Sequence, residues 1–197
     1  MHLHDEEIAD REIVIGSSEA TVLGKRLVLR RCRIASRAAS KNLVVGPVWI
    51  IQSQFESKVT LRNNNWCRAR LHSTTFLGHY VGCDFGWWPE YAPEKGEVIG
   101  CDFTKATLEG CRFFNCASES IGLPTWPGFS ILNPRGVASE IKSIQWPGDC
   151  GRRMRLIAES PEGVTISCQN ATSLSQRYGC APSDLRTALE RLPGLRL

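Results

Sequence analysis

The sequence predicts a mainly β fold, a solenoid of stacked coils, and three observations lead there. Large apolar residues recur every five positions in two runs: Leu61, Trp66, Leu71, Phe76 and Val81, then Val98, Phe103, Leu108 and Phe113. Small residues keep the same interval beside the second run, at Gly96, Cys101, Ala106, Cys111 and Cys116. The period itself suits neither ordinary element. Five residues turn an α-helix by about 140°, so such positions wander around it. Along a strand, an odd step sends successive side chains to opposite faces. A chain that buries every fifth residue must turn a corner every five residues. Repeated corners make a coil, and stacked coils pair their backbones about 4.8 Å apart.

The elements follow in order. Residues 1–23 form an acidic N-terminal segment suited to capping the coil. The solenoid is expected over 24–121, with weaker traces of the repeat at Leu27-Val28-Leu29, Cys32-Arg33-Ile34, Leu43 and Val48. Cys83-Asp84-Phe85 restates the small-polar-large triplet one residue out of step. Pro89 and Pro93 cannot donate to a ladder, so residues 86–95 are expected to loop out. Residues 122–197 read as a continuation of the solenoid or a cap. Within them, 153–158 and 164–167 flank the turn Ser160-Pro161-Glu162-Gly163 and suggest a hairpin or two further coil strands. A helix is expected over 183–192, with Ser183 as its cap and Leu185, Ala188, Leu189 and Leu192 along one face.

A small residue, then Asp, Asn or Arg, then Phe or Leu, then two polar residues is the pattern that 101–116 follows and that 59–85 follows more loosely. It resembles the pentapeptide-repeat proteins. That resemblance covers less than half of the chain. It implies a right-handed quadrilateral parallel β-helix in which Phe103, Leu108 and Phe113 stack inside with Cys101, Ala106 and Cys111. It also implies a choice of roles. Some members are immunity factors that neutralise a bacterial toxin; others mimic DNA and protect topoisomerases.

Charge separates those roles. Residues 1–23 carry six acids and one base, 24–82 eleven bases and one acid, and 83–130 seven acids and three bases. DNA mimicry needs an acidic surface, so the basic block disfavours it. That block could instead contact nucleic acid directly, through Arg30, Arg31, Arg33 and Arg37 with Lys25, Arg26 and Lys41, or it could dock the acidic N-terminus. A protein partner is the first expectation. Trp87, Trp88 and Tyr91, with Glu90, Glu94 and Glu97, place aromatic area and negative charge together on and beside the loop, a composition that suits a basic toxin domain. The alternative is that Trp87 and Trp88 fold back to cover the coil.

Catalytic signatures are missing. There is no phosphate-binding glycine loop, nucleophile elbow or zinc-protease helix. His79 and Cys83 could be drawn as base and nucleophile, and Asp84 with Asp102 as a carboxylate pair, but the repeat already accounts for Cys83, Asp84 and Asp102. The expectation is therefore a non-enzymatic scaffold without cofactor or metal. The nine cysteines hold no C-x-x-C, which fits thiols buried as small apolar residues in a cytoplasmic protein. No apolar run approaches the roughly 18 residues of a membrane helix.

Overall fold

The computed structural model describes residues 1–89 and 94–197, and it is a parallel β-solenoid of about four turns with a small α/β unit at its C-terminal end. The coil length is set by register. Glu7 lies beside Val28, Val28 beside Trp49 and Trp49 beside Arg70, a step of 21 residues each time. Four apolar positions per coil point inward, and Leu61, Trp66, Leu71 and Phe76 are all 0% exposed. Each packs on its equivalent in the next coil. Ile8, Leu29, Ile50, Leu71 and Val98 form one such column, and Ile13, Ile34, Phe55 and Phe76 another.

The corners explain the small positions. At one corner Asp10, Arg31, Gln52, Ser73 and Gly100 all take the left-handed conformation, with φ between 47° and 62°. That backbone costs a residue with a Cβ roughly 1–2 kcal/mol. After the last four of these the next residue, Cys32, Ser53, Thr74 or Cys101, turns inward and donates a hydrogen bond across the corner, whereas Arg11, after Asp10, is exposed. Thr74 Oγ1 donates to the carbonyls of His72 and Ile50, both at 3.0 Å. Ser53 Oγ reaches Ile51 O at 2.8 Å, and Cys101 Sγ reaches Leu71 O at 3.2 Å. Cys32 Sγ reaches Ile8 O at 3.3 Å. The position thus selects a small side chain that carries one donor.

Three expectations are corrected here. Val81 is not a core residue; Tyr80 is, at 0% exposure. The step shortens to four because Gly78, at φ 108°, lies against Ser57, whose carbonyl oxygen would sit 2.3 Å from a Cβ. The acidic segment is no separate cap. Its strands His2–Leu3, Glu7–Ala9 and Glu12–Ile15 are the first coil, each paired in parallel to the second. Nor do residues 153–158 form a strand. They lie in α2 (Cys150–Ala158), which buries Cys150, Met154, Ile157 and Ala158 along one helical face.

The remaining helices are α1 (Ala138–Ser143), α3 (Ala171–Tyr178) and α4 (Pro182–Leu189). The last of these begins with Pro182 in its first turn after Ala181, rather than at a Ser183 cap, and ends before Leu192. Together the helices bury a second core around Phe129, Met154, Leu185 and Leu189. Strand Val164–Asn170 runs antiparallel to the coil strand Cys111–Phe114 and to Gly128–Leu132. This reversal covers the edge that the last coil would otherwise expose.

Candidate functional site

Among the described residues no group of three His, Cys, Asp or Glu side chains could hold a metal, and no helix is long and apolar enough to cross a membrane. The drawn catalytic pairs are not assembled. The His79 ring hydrogen-bonds Glu109 at 2.7 Å and Thr60 at 3.3 Å, while the Cys83 thiol points inward to Leu61 O. Asp84 accepts two bonds of 2.8 Å from Arg112, and Asp102 accepts from the Thr104 amide at 2.8 Å.

The loop candidates are largely engaged within the chain. Trp88 stacks on Phe114, with ring centroids 4.7 Å apart and planes 8° apart, and the Arg112 guanidinium lies 5.6 Å over it. The Trp87 amide donates to Phe114 O at 3.0 Å, and Lys95 Nζ lies 5.1 Å from its ring. Glu94 is ion-paired to Arg68, and Glu97 is hydrogen-bonded to the His72 ring at 3.0 Å. Glu90 and Tyr91 lie outside the described residues.

The basic candidates divide. Arg31 grips Asp10 with two bonds of 2.7 and 2.6 Å, a contact that holds the Asp10 carboxyl below its usual range. Arg30 pairs with Glu7 at 3.2 Å, and Arg26 pairs with Asp5. The second, basic coil therefore neutralises the first, acidic one across the ladder. Arg33, Arg37 and Lys41 are exposed and form no ion pair among the described residues.

A different surface comes together on the face built from Glu7–Ala9, Val28–Arg30, Trp49–Ile51, Arg70–His72 and Glu97–Ile99. Strand alternation turns Ile50 and Leu71 inward, and it turns Trp49, Ile51, Arg70, His72 and Ile99 outward. The Arg70 guanidinium sits 4.6 Å above the Trp49 ring, and the His72 ring meets it edge-on at 5.4 Å. Ile99 is 49% exposed. At the adjoining corner Lys25, Arg68 and Lys95 surround a depression of about 180 Å³ whose wall includes Trp49. Sequence reasoning missed this face because Val48-Trp49-Ile50-Ile51 reads as one uniform apolar run. The signal was present: Ile50 lies 21 positions before Leu71, which fixes Trp49 as outward.

Comparison with protein-family models, with curated proteins and with solved structures finds no match to this chain.

Proposed function

We propose that the chain is a non-enzymatic scaffold that takes a protein partner on the Trp49 face. The observation behind this reading is the outward Trp49 ring, held between Arg70 and His72 on a five-stranded sheet. Tryptophan and arginine dominate the binding energy of protein interfaces, and a rigid ladder holds them in place before contact, so little ordering cost remains. The face alone is small: four strand spacings of about 4.8 Å span about 19 Å. A stable interface covers about 800 Å² per partner. The partner must then extend over the corner of Lys25, Arg68 and Lys95 and onto the neighbouring loop.

Glu94 and Glu97 are already engaged, whereas Lys25, Arg70 and Lys95 form no ion pair among the described residues. This balance suits an acidic patch on the partner. The resemblance to pentapeptide-repeat proteins gives the role its narrower form, an immunity protein that neutralises a toxin. A basic toxin domain would need the loop acids, while an acidic surface would need the corner. Nucleic acid is the second reading, favoured by the same cations beside a half-buried, outward aromatic ring.

The test is paired affinity capture from a native lysate, with the wild-type chain and a Trp49→Ala/Arg70→Ala variant as baits. A protein retained by the first and lost by the second, then confirmed by calorimetry, supports the reading. Equal retention by both baits refutes the assignment of this face.

A further inference from the structure

A second site lies where the solenoid meets the C-terminal unit. A cleft of about 300 Å³ opens between the last coils and helices α2 and α3. Its floor is backbone. Gly82 and Gly110 occupy equivalent corners of successive coils, both left-handed at φ 64° and 66°. The Arg153 guanidinium reaches over this floor, with one nitrogen 2.8 Å from where a Cβ on Gly110 would stand. Any side chain there would push it away.

Three arginines line the cleft: Arg62 from the coil, Arg153 from α2 and Arg177 from α3. None of the three forms an ion pair among the described residues. Arg153 is half-buried, and its Nε donates at 3.3 Å to a neutral amide, that of Gln169. Gln169 is itself 3% exposed and bonds Ser167. The one carboxylate in the lining, Glu109, is bonded to His79 at 2.7 Å. Burial above all, and the like charges of Arg177 and Arg112 with it, hold Arg153 below its ordinary value. The first turn of α3 also borders the cleft at Ser173, whose amide donates to the capping Asn170 Oδ1 at 3.1 Å.

A half-buried guanidinium without an ion-pair partner, as at Arg153, is costly, and an entering anion relieves that cost, while the exposed Arg62 and Arg177 add positive charge at the rim. Guanidinium groups match phosphate oxygens two at a time. The volume lies at the lower end for small-ligand cavities. We infer that this cleft is a binding site for a small phosphate-bearing ligand, whose phosphate is held by Arg62, Arg153 and Arg177. This inference is independent of the Trp49 face.

The probe is inorganic pyrophosphate, titrated calorimetrically into the full chain at constant ionic strength. The variant is Arg62→Gln/Arg177→Gln, because both side chains are exposed and the junction packing of Arg153 stays intact. Saturable binding by the wild type, weakened at least tenfold in this variant, is the expected result. Arg186→Gln, at a residue paired with Glu190 on α4, should bind as the wild type does, and so should Trp49→Ala. Pyrophosphate should also raise the melting temperature of the wild type and not of the double variant. No saturable heat up to ~10 mM, which corresponds to less than 3 kcal/mol, would overturn the proposal. So would equal affinity in the double variant, or binding that disappears instead in Lys25→Gln/Lys95→Gln. A single-stranded oligonucleotide that binds through Arg62 and Arg177 while pyrophosphate does not would also overturn it.

Discussion

The ring of Phe76 lies flat on that of Phe103 in the next coil, with centroids 4.5 Å apart and planes 8° apart. Both are 0% exposed, and each also packs on Phe85. Deleting either ring empties a space that the stacked backbones cannot collapse into. Phe103→Ala should therefore lower stability by about 3–5 kcal/mol, and Phe103→Leu by much less. Urea denaturation, with far-ultraviolet circular dichroism as the probe, measures both. A loss below ~1 kcal/mol for the alanine variant would mean that the core is not this column.

How legible this was in the sequence depended on the residue. Phe103, Leu108 and Phe113 repeat cleanly because their coil has glycine at the corners Gly100 and Gly110 and Cys101, Ala106 and Cys111 at the inward small positions. The first coils obey the same geometry with Asp10, Arg31 and Gln52 at the corner and Ser53 inside, so the pattern of residue types fades while the backbone stays regular. Tyr80 was hidden by the shortened step at Gly78. Helix α2 was legible and misread, since Cys150, Met154, Ile157 and Ala158 already carry helical spacing. The two surfaces were harder. Trp49 becomes outward only once the register is known, and Arg62, Arg153 and Arg177 are far apart in sequence and meet only through the packing of α2 and α3 on the last coils.

The corner account makes its own prediction. At Gly100 a Cβ would meet nothing closer than Ser73 Oγ at 3.4 Å, so Gly100→Ala tests the left-handed backbone alone. It should cost about 1 kcal/mol. Ser73→Gly, at the equivalent corner one coil earlier, should be neutral or stabilising. Gly78→Ala should cost clearly more than Gly100→Ala, because its Cβ would clash with Ser57 O. Thermal melts of the three variants give the ranking, and an unstrained Gly100→Ala would contradict the account.

The thiols give a pH dependence. Burial raises Cys101 from 9.0 to about 11, and Cys67, Cys116 and Cys168 to about 12. Above pH 9 the unfolded chain loses these protons while the folded chain keeps them. Stability then falls with rising pH, from about 9 until the folded values are reached, by up to about 1.4 kcal/mol per unit for each thiol. Urea melts at pH 8 and pH 10 should differ accordingly, and replacing Cys116 with Ala should reduce the difference. A melt unchanged by pH would contradict the burial of these groups.

Cys150 and Cys180 stand apart from the other thiols. Their sulfurs are 3.2 Å apart, and Cys180 is the one cysteine that is not fully buried. A mild disulfide-exchange oxidant should cross-link this pair first, joining α2 to the segment before α4, and peptide mapping would identify the bond. A first cross-link involving Cys101 or Cys111 would contradict the described packing.

Trp88 and Trp49 should behave differently. Trp88→Ala removes the ring stacked on Phe114 and should destabilise the fold by about 2 kcal/mol. Trp49→Ala removes a half-buried outward ring whose contacts are the side chains of Arg70 and His72, not the core, and should lower the melting temperature less than Trp88→Ala. A reversed order would assign the covering role to Trp49 and the exposed role to the loop.

That contrast sets up the most direct measurement, calorimetry of the captured partner against wild type and Trp49→Ala/Arg70→Ala. The account predicts a loss of at least ~2 kcal/mol, about thirtyfold in affinity, in a variant that stays folded. For a protein partner, affinity should fall only modestly between low and physiological salt; a steep log–log dependence would point to nucleic acid instead. An unchanged dissociation constant in the folded double variant would contradict the proposal that the Trp49 face is where the partner docks.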